Sequence, residues 1–77
     1  MTCFKVISAN GCKWCGLAIE ELEAAGAEYE VIKLEENPMI RSFCKLAGLK
    51  TVPQIFGPDG EYIGGYRYLH EHLSEKQ

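Results

Sequence analysis

The chain has 77 residues, 8 Lys and Arg against 11 Asp and Glu, and 47% hydrophobic residues. That length admits one domain, residues 1–77, near the lower size limit for a core that stabilises itself unaided. A net charge of −3 supplies no basic footprint for nucleic acid or an anionic membrane, the hydrophobic content argues against disorder, and no stretch approaches the roughly 20 apolar residues of a membrane span.

The opening Met-Thr-Cys-Phe-Lys has no basic segment followed by a longer apolar core, so no secretory leader is expected. Residues 3–8 (Cys-Phe-Lys-Val-Ile-Ser) are rich in β-formers and predict a first strand, punctuated by Ala9-Asn10-Gly11. From Lys13 the pattern turns helical. Trp14, Leu17 or Ala18, Leu22 and Ala25 recur near a 3.6-residue period, and Gly26 is the stop. Residues 29–34 predict a second strand. Asn37 before Pro38 signals the cap and first turn of a second helix, which places Ile40, Phe43, Cys44 and Ala47 on one face and ends at Gly48.

Residues 51–56 (Thr-Val-Pro-Gln-Ile-Phe) predict a third strand, with Pro53 confined to an edge, a start or a bulge because it has no N–H for the ladder. Gly57-Pro58-Asp59-Gly60 reads as a hairpin turn into a fourth strand at residues 61–63. After Gly64-Gly65, residues 66–75 form a last helix with Tyr66, Leu69 and Leu73 on one face. The order β-α-β-α-β-β-α implies an α/β fold, one mixed four-stranded sheet with helices on both faces.

Cys12-Lys13-Trp14-Cys15 opens the first helix. Two thiols at this spacing can close a small-ring disulfide and release it. The helix N-terminus favours the thiolate of the first, and thiolate is the attacking form. In a small α/β chain such a dithiol reads as a redox device, with Cys12 as nucleophile, Cys15 as resolving thiol and Lys13 as a nearby cation. Four cysteines also fit a secreted disulfide scaffold. The long periodic segments favour a reducing, cytoplasmic setting instead. A zinc site completed by Cys3 and Cys44 lacks paired-knuckle spacing, so both are expected as small buried hydrophobes and no metal is assigned. His70 and His72, two apart on a helix, point in different directions and are not read as ligands.

Three motifs in order carry a family resemblance: the Cys-x-x-Cys at the helix start, Thr51-Val52-Pro53-Gln54-Ile55-Phe56, and Ile63-Gly64-Gly65-Tyr66. Together they resemble the glutaredoxins, small thioredoxin-like oxidoreductases, over essentially the whole chain. Thioredoxins are a poorer match, since they usually carry Gly-Pro between the cysteines and an extra N-terminal strand and helix. The resemblance implies a cis-proline at Pro53. There Thr51 and Val52 offer backbone groups to an extended substrate. It also implies a glutathione site at Gly64-Gly65 and the following helix start, with Tyr66 beside it. Trp14 reads equally as core and as an exposed substrate contact.

The chain departs from the family pattern in three places. Lys13-Trp14 replaces the common Pro-Tyr, and Ala9, Asn10 and Gly11 hold no basic residue. Arg67-Tyr68 stands where the family commonly has Ser or Thr followed by Asp, the partner of the glutathione amine. The expected function is a monomeric, glutathione-linked thiol–disulfide oxidoreductase. It takes glutathione as co-substrate, holds no tightly bound cofactor, and acts on disulfide-containing proteins. The alternatives are a redoxin that donates hydrogen to ribonucleotide reductase and is recharged by thioredoxin reductase, and a metal or iron–sulfur binding module.

Overall fold

The computed structural model describes residues 3–75. Its elements are β1 (Phe4–Ser8), α1 (Lys13–Ala24), β2 (Tyr29–Lys33), a 3-10 turn (Leu34–Glu36), α2 (Pro38–Ala47), β3 (Gln54–Phe56), β4 (Tyr62–Gly64) and α3 (Tyr66–Glu75). The strands form one mixed sheet in the order β2-β1-β3-β4. β2 lies parallel to β1 from Phe4↔Tyr29 to Ser8↔Lys33. A parallel neighbour needs a crossover, which α1 provides. β3 runs antiparallel to both β1 and β4, so the step from β3 to β4 needs only the turn at residues 57–60, closed by the Gly60 N–H on the Gly57 carbonyl at 3.0 Å.

Strand alternation sends Phe4 and Val6 to one face of β1, where Ala18 and Leu22 of α1, Ile55 of β3 and Leu69 of α3 close the core. Leu22, Ile55, Leu69 and Val6 are completely enclosed, each contributing about 1.5–3 kcal/mol by burial. Ile7, on the alternate face, is also buried.

The elements match the predicted order, with shifts that have local causes. β3 begins at Gln54, paired with Ile7, because Pro53 offers no N–H to the ladder and Thr51 and Val52 lie outside it. β4 begins at Tyr62, since the Glu61 carbonyl is engaged by the Gly57 N–H of the turn. Along α1 the buried stripe is Cys15, Ala18 and Leu22, one residue around from the expected Trp14, and Ala25 is an exposed cap.

In α2 only Cys44 is buried, Ile40 is half-buried, and Phe43 and Ala47 are exposed. The apolar period is present, but α2 packs chiefly on the Leu34–Glu36 turn, too small a surface to cover the whole face. Asn37 stands at the N-cap with Pro38 at the first helical turn. Its side-chain amide donates to the Lys33 carbonyl at 3.0 Å instead of capping.

Candidate active site

The loop leaving β1 is tied to the 3-10 turn: the Asn10 N–H donates to Glu35 Oε2 at 2.7 Å, and this bond holds the Glu35 carboxyl below its ordinary value of 4.5. The chain then enters α1 at Cys12. An extended backbone at Cys12 (φ −89°, ψ 106°) makes it the N-cap, and its Sγ accepts the Cys15 N–H at 3.1 Å. A sulfur in this position takes the place of the oxygen of a Ser or Asp cap, at the positive end of the helix dipole. Cys12 and Cys15 are joined by a disulfide, with Cα atoms 5.3 Å apart. Cys15 is 2% exposed, whereas Cys12 is half-buried, the more open of the two.

Across from Cys12 lies the segment before β3. Val52 O is 3.7 Å from Cys12 Sγ, and the Val52–Pro53 peptide bond is cis. Trp14, Thr51, Val52 and Pro53 line an open groove of about 270 Å³ together with Gly65, Tyr66, Arg67 and Tyr68. The Trp14 and Tyr66 rings sit 5.5 Å apart, tilted by 41°. Trp14 is 54% exposed, while Tyr66 also packs on the core, so Trp14 is a groove wall and Tyr66 serves both roles. Lys13 is exposed and stands outside the groove lining.

The glycine pair divides its work. Gly64 has φ +117°, and a Cβ there would meet Tyr68 Cδ2 at 3.0 Å. Gly65 has ordinary backbone, and a Cβ there would lie 3.8 Å from the Pro53 carbonyl oxygen, an ordinary contact. The Gly65 carbonyl accepts the first bond of α3, from the Leu69 N–H at 3.1 Å. The amides of Tyr66, Arg67 and Tyr68 are therefore first-turn donors without helical partners, beside the groove. Arg67 is largely exposed, with Nε 3.9 Å from Glu71 Oε2.

Two contributors had no role in the sequence reading. Tyr68 lines the groove and packs on Gly64. Gln54, predicted only as a strand residue, is buried and bonded to Thr51 and to Tyr62. The one signal available for Gln54 was a polar side chain in an otherwise apolar strand.

Cys3 and Cys44 are free and buried. Among the described residues, no group of three His, Cys, Asp or Glu is placed to hold a metal ion. His70 Nδ1 lies 2.8 Å from Glu21 Oε1, and His72 sits edge-on to Phe4 at 6.1 Å. No helix among the described residues is long and apolar enough to cross a membrane.

The glutaredoxin family model matches residues 4–63, which include both cysteines of the disulfide and the whole Thr51 to Phe56 motif. The chain belongs to the glutaredoxin family. With its Cys12–Cys15 pair, this glutaredoxin is a thiol–disulfide oxidoreductase.

Solved structures agree on the fold. The holo form of glutaredoxin C1 from Populus tremula x tremuloides is 26% identical, with a TM-score of 0.79 over 97% of this chain and 70% of that one. The buckwheat glutaredoxin–glutathione complex is 24% identical, also at 0.79, over 97% and 71%. The glutaredoxin-like NrdH-redoxin from Escherichia coli, which has a thioredoxin-like activity profile, is 18% identical at 0.80, over 96% and 93%. No curated protein sequence matches this glutaredoxin.

Proposed function

We propose that this glutaredoxin reduces protein disulfides and glutathione mixed disulfides with glutathione as the electron source. The observation that carries the reading is the half-buried Cys12 at the head of α1, whose sulfur accepts the Cys15 amide and lies 3.7 Å from the carbonyl oxygen of Val52, a residue that lines the groove. In the reduced protein the Cys12 thiolate attacks one sulfur of the substrate. A Cys12–substrate disulfide forms and the other substrate sulfur leaves as thiolate. Cys15, one turn along, attacks Cys12 Sγ and expels the second substrate thiol, leaving the Cys12–Cys15 disulfide. One glutathione thiolate then reopens that bond by forming a mixed disulfide on Cys12. A second removes the first as glutathione disulfide, so two glutathiones supply the two electrons.

In this reading Thr51, Val52 and Pro53 present a backbone edge to an extended substrate. The α3 amides after Gly64 and Gly65 receive a glutathione carboxylate, with Tyr66 beside them and the Arg67 guanidinium adding charge. Trp14 supplies an apolar wall, and Lys13 favours the thiolate. The protein works as a monomer in the cytoplasm, with glutathione as co-substrate and no tightly bound cofactor.

A second reading has specific support. Among the described residues no carboxylate lines the groove, so none there pairs with the glutathione amine, and the E. coli NrdH-redoxin shares the fold over nearly its full length. On that reading the protein is a hydrogen donor to ribonucleotide reductase, recharged by thioredoxin reductase. NADPH consumption with glutathione and glutathione reductase, set beside NADPH with thioredoxin reductase, separates the two. Faster turnover with glutathione is expected. Turnover with thioredoxin reductase alone moves the assignment to the second reading, and failure with both reductants overturns each.

A further inference from the structure

Behind the groove, three side chains form a chain of hydrogen bonds that ends on the substrate-facing loop. Gln54 is 6% exposed, and its Nε2 donates to the Thr51 carbonyl at 2.9 Å and to Thr51 Oγ1 at 3.3 Å. The Tyr62 hydroxyl donates to Gln54 Oε1 at 2.5 Å. The direction of these bonds is fixed by chemistry. A carbonyl oxygen only accepts, so the nitrogen end of the Gln54 amide must face Thr51, and its oxygen must then face the phenol. Tyr62 pairs across the sheet with Phe56, its ring 5.3 Å from the Phe56 ring, and the length of the phenol carries the hydroxyl along β3 to Gln54.

The Thr51–Val52 peptide is trans, because Val52–Pro53 is the one cis bond among the described residues. In a trans peptide the C=O and N–H point in opposite directions. Anchoring Thr51 C=O on Gln54 therefore turns the Val52 N–H away from the interior. That amide has no hydrogen-bond partner among the described residues, and Val52 lines the groove.

We propose that Gln54, oriented by Tyr62, is a positioning residue that fixes the Thr51–Val52 peptide plane and so aims the Val52 N–H at an extended peptide disulfide. The inference rests on the reading of Val52 as the edge that pairs with substrate, and it names the substrate class as one with a peptide backbone next to its disulfide. A disulfide without such a backbone gains nothing from the alignment.

The test compares the reduced wild-type protein with Gln54→Leu and Tyr62→Phe. Each is mixed with a disulfide-linked dimer of a short extended peptide or with bis(2-hydroxyethyl) disulfide. Trp14, the single tryptophan, reports oxidation of the adjacent pair by its fluorescence. Gln54→Leu is expected to slow the peptide reaction about tenfold, the loss of roughly one hydrogen bond, with the hydroxyethyl reaction held within about twofold. Tyr62→Phe keeps the ring and removes the hydroxyl. It is expected to slow the peptide reaction about threefold with the same selectivity, and it carries the test if Gln54→Leu does not fold. Equal slowing of both disulfides, or no slowing with the peptide, overturns the positioning role. A wild-type protein inert to both disulfides overturns the exchange chemistry itself, and this role with it.

Discussion

Cys12 and Cys15 share the head of α1, whereas Cys3 stands before β1 and Cys44 lies in the second half of α2. Three of the four sulfurs are buried: Cys3, Cys15 and Cys44 are 8%, 2% and 5% exposed. Burial therefore does not separate the reactive pair from the other two. What separates them is neighbourhood. Cys15 has a second sulfur at disulfide distance, and that second sulfur, on Cys12, is half-open and accepts a helix-start amide. Cys3 and Cys44 fill space in the fold as small apolar groups do. The two sets of sulfurs differ in position at a helix N-terminus, not in burial.

The strongest way to break this contrast is Cys12→Ser. Reduction of a glutathione mixed disulfide is expected to fall about a thousandfold or more in a coupled NADPH assay, because the attacking atom is gone. Cys15→Ser should keep mixed-disulfide reduction within about tenfold of wild type, yet lose reduction of protein disulfides that need the resolving thiol. The reverse pattern would make Cys15 the nucleophile.

Two adjacent glycines sharpen the comparison: Gly65 lines the groove and Gly64 packs against Tyr68 beside it. Gly64→Ala forces a side chain onto φ +117° and against Tyr68, and should cost about 1–3 kcal/mol in urea unfolding. Gly65→Ala should cost well under about 1 kcal/mol, since it creates only an ordinary contact with Pro53 O. Adding Tyr68→Ala should not rescue Gly64→Ala, because the backbone conformation is unchanged.

Smaller effects are expected at the other sulfurs. Cys3→Ser and Cys44→Ser each place a hydroxyl in a buried site and should cost about 1–2 kcal/mol of stability, with exchange rates within about twofold of wild type. A large loss of activity in either variant would end the distinction between the pairs.

The smallest effect belongs to Glu35, which tethers the loop leading to Cys12. The Asn10 N–H holds its folded pKa below the ordinary value of 4.5. The ionised form is therefore the one the fold favours. Its contribution is present above the unfolded value and is lost as pH falls through the folded one. Urea midpoints measured from pH 7 down to pH 3 should decline less in Glu35→Gln than in wild type across that acid limb. The difference is small because the carboxylate is exposed.

Much of the architecture was legible in the chain because its signals are local. Gly26, Pro38, Gly48 and the turn at residues 57–60 punctuate the elements through their own backbone limits. The Cys-x-x-Cys at the start of a helical run located the chemistry for the same reason. Cap geometry depends on a few adjacent residues.

Other features were settled only by what lies opposite in space. The pattern of α2 marked Phe43 as core, yet Phe43, Met39 and Leu46 remain exposed because the Leu34–Glu36 turn covers too little of that helix. The period of α1 allowed Trp14 inward, and packing put Cys15 there instead, leaving Trp14 to face Tyr66 over the groove. Gly64 and Gly65 are identical in sequence terms, but only the first has positive φ.

The sequence by itself determined the order of elements, the reactive pair and the breaks between them, since each follows from neighbours along the chain. Tertiary structure decided which sulfur is open, which aromatic rings wall the groove, and that Gln54 reaches both Thr51 and Tyr62. Those depend on contacts between residues distant in sequence or on adjacent strands, whose geometry is set only when β1, β3 and β4 come into register and α1 and α3 close over them.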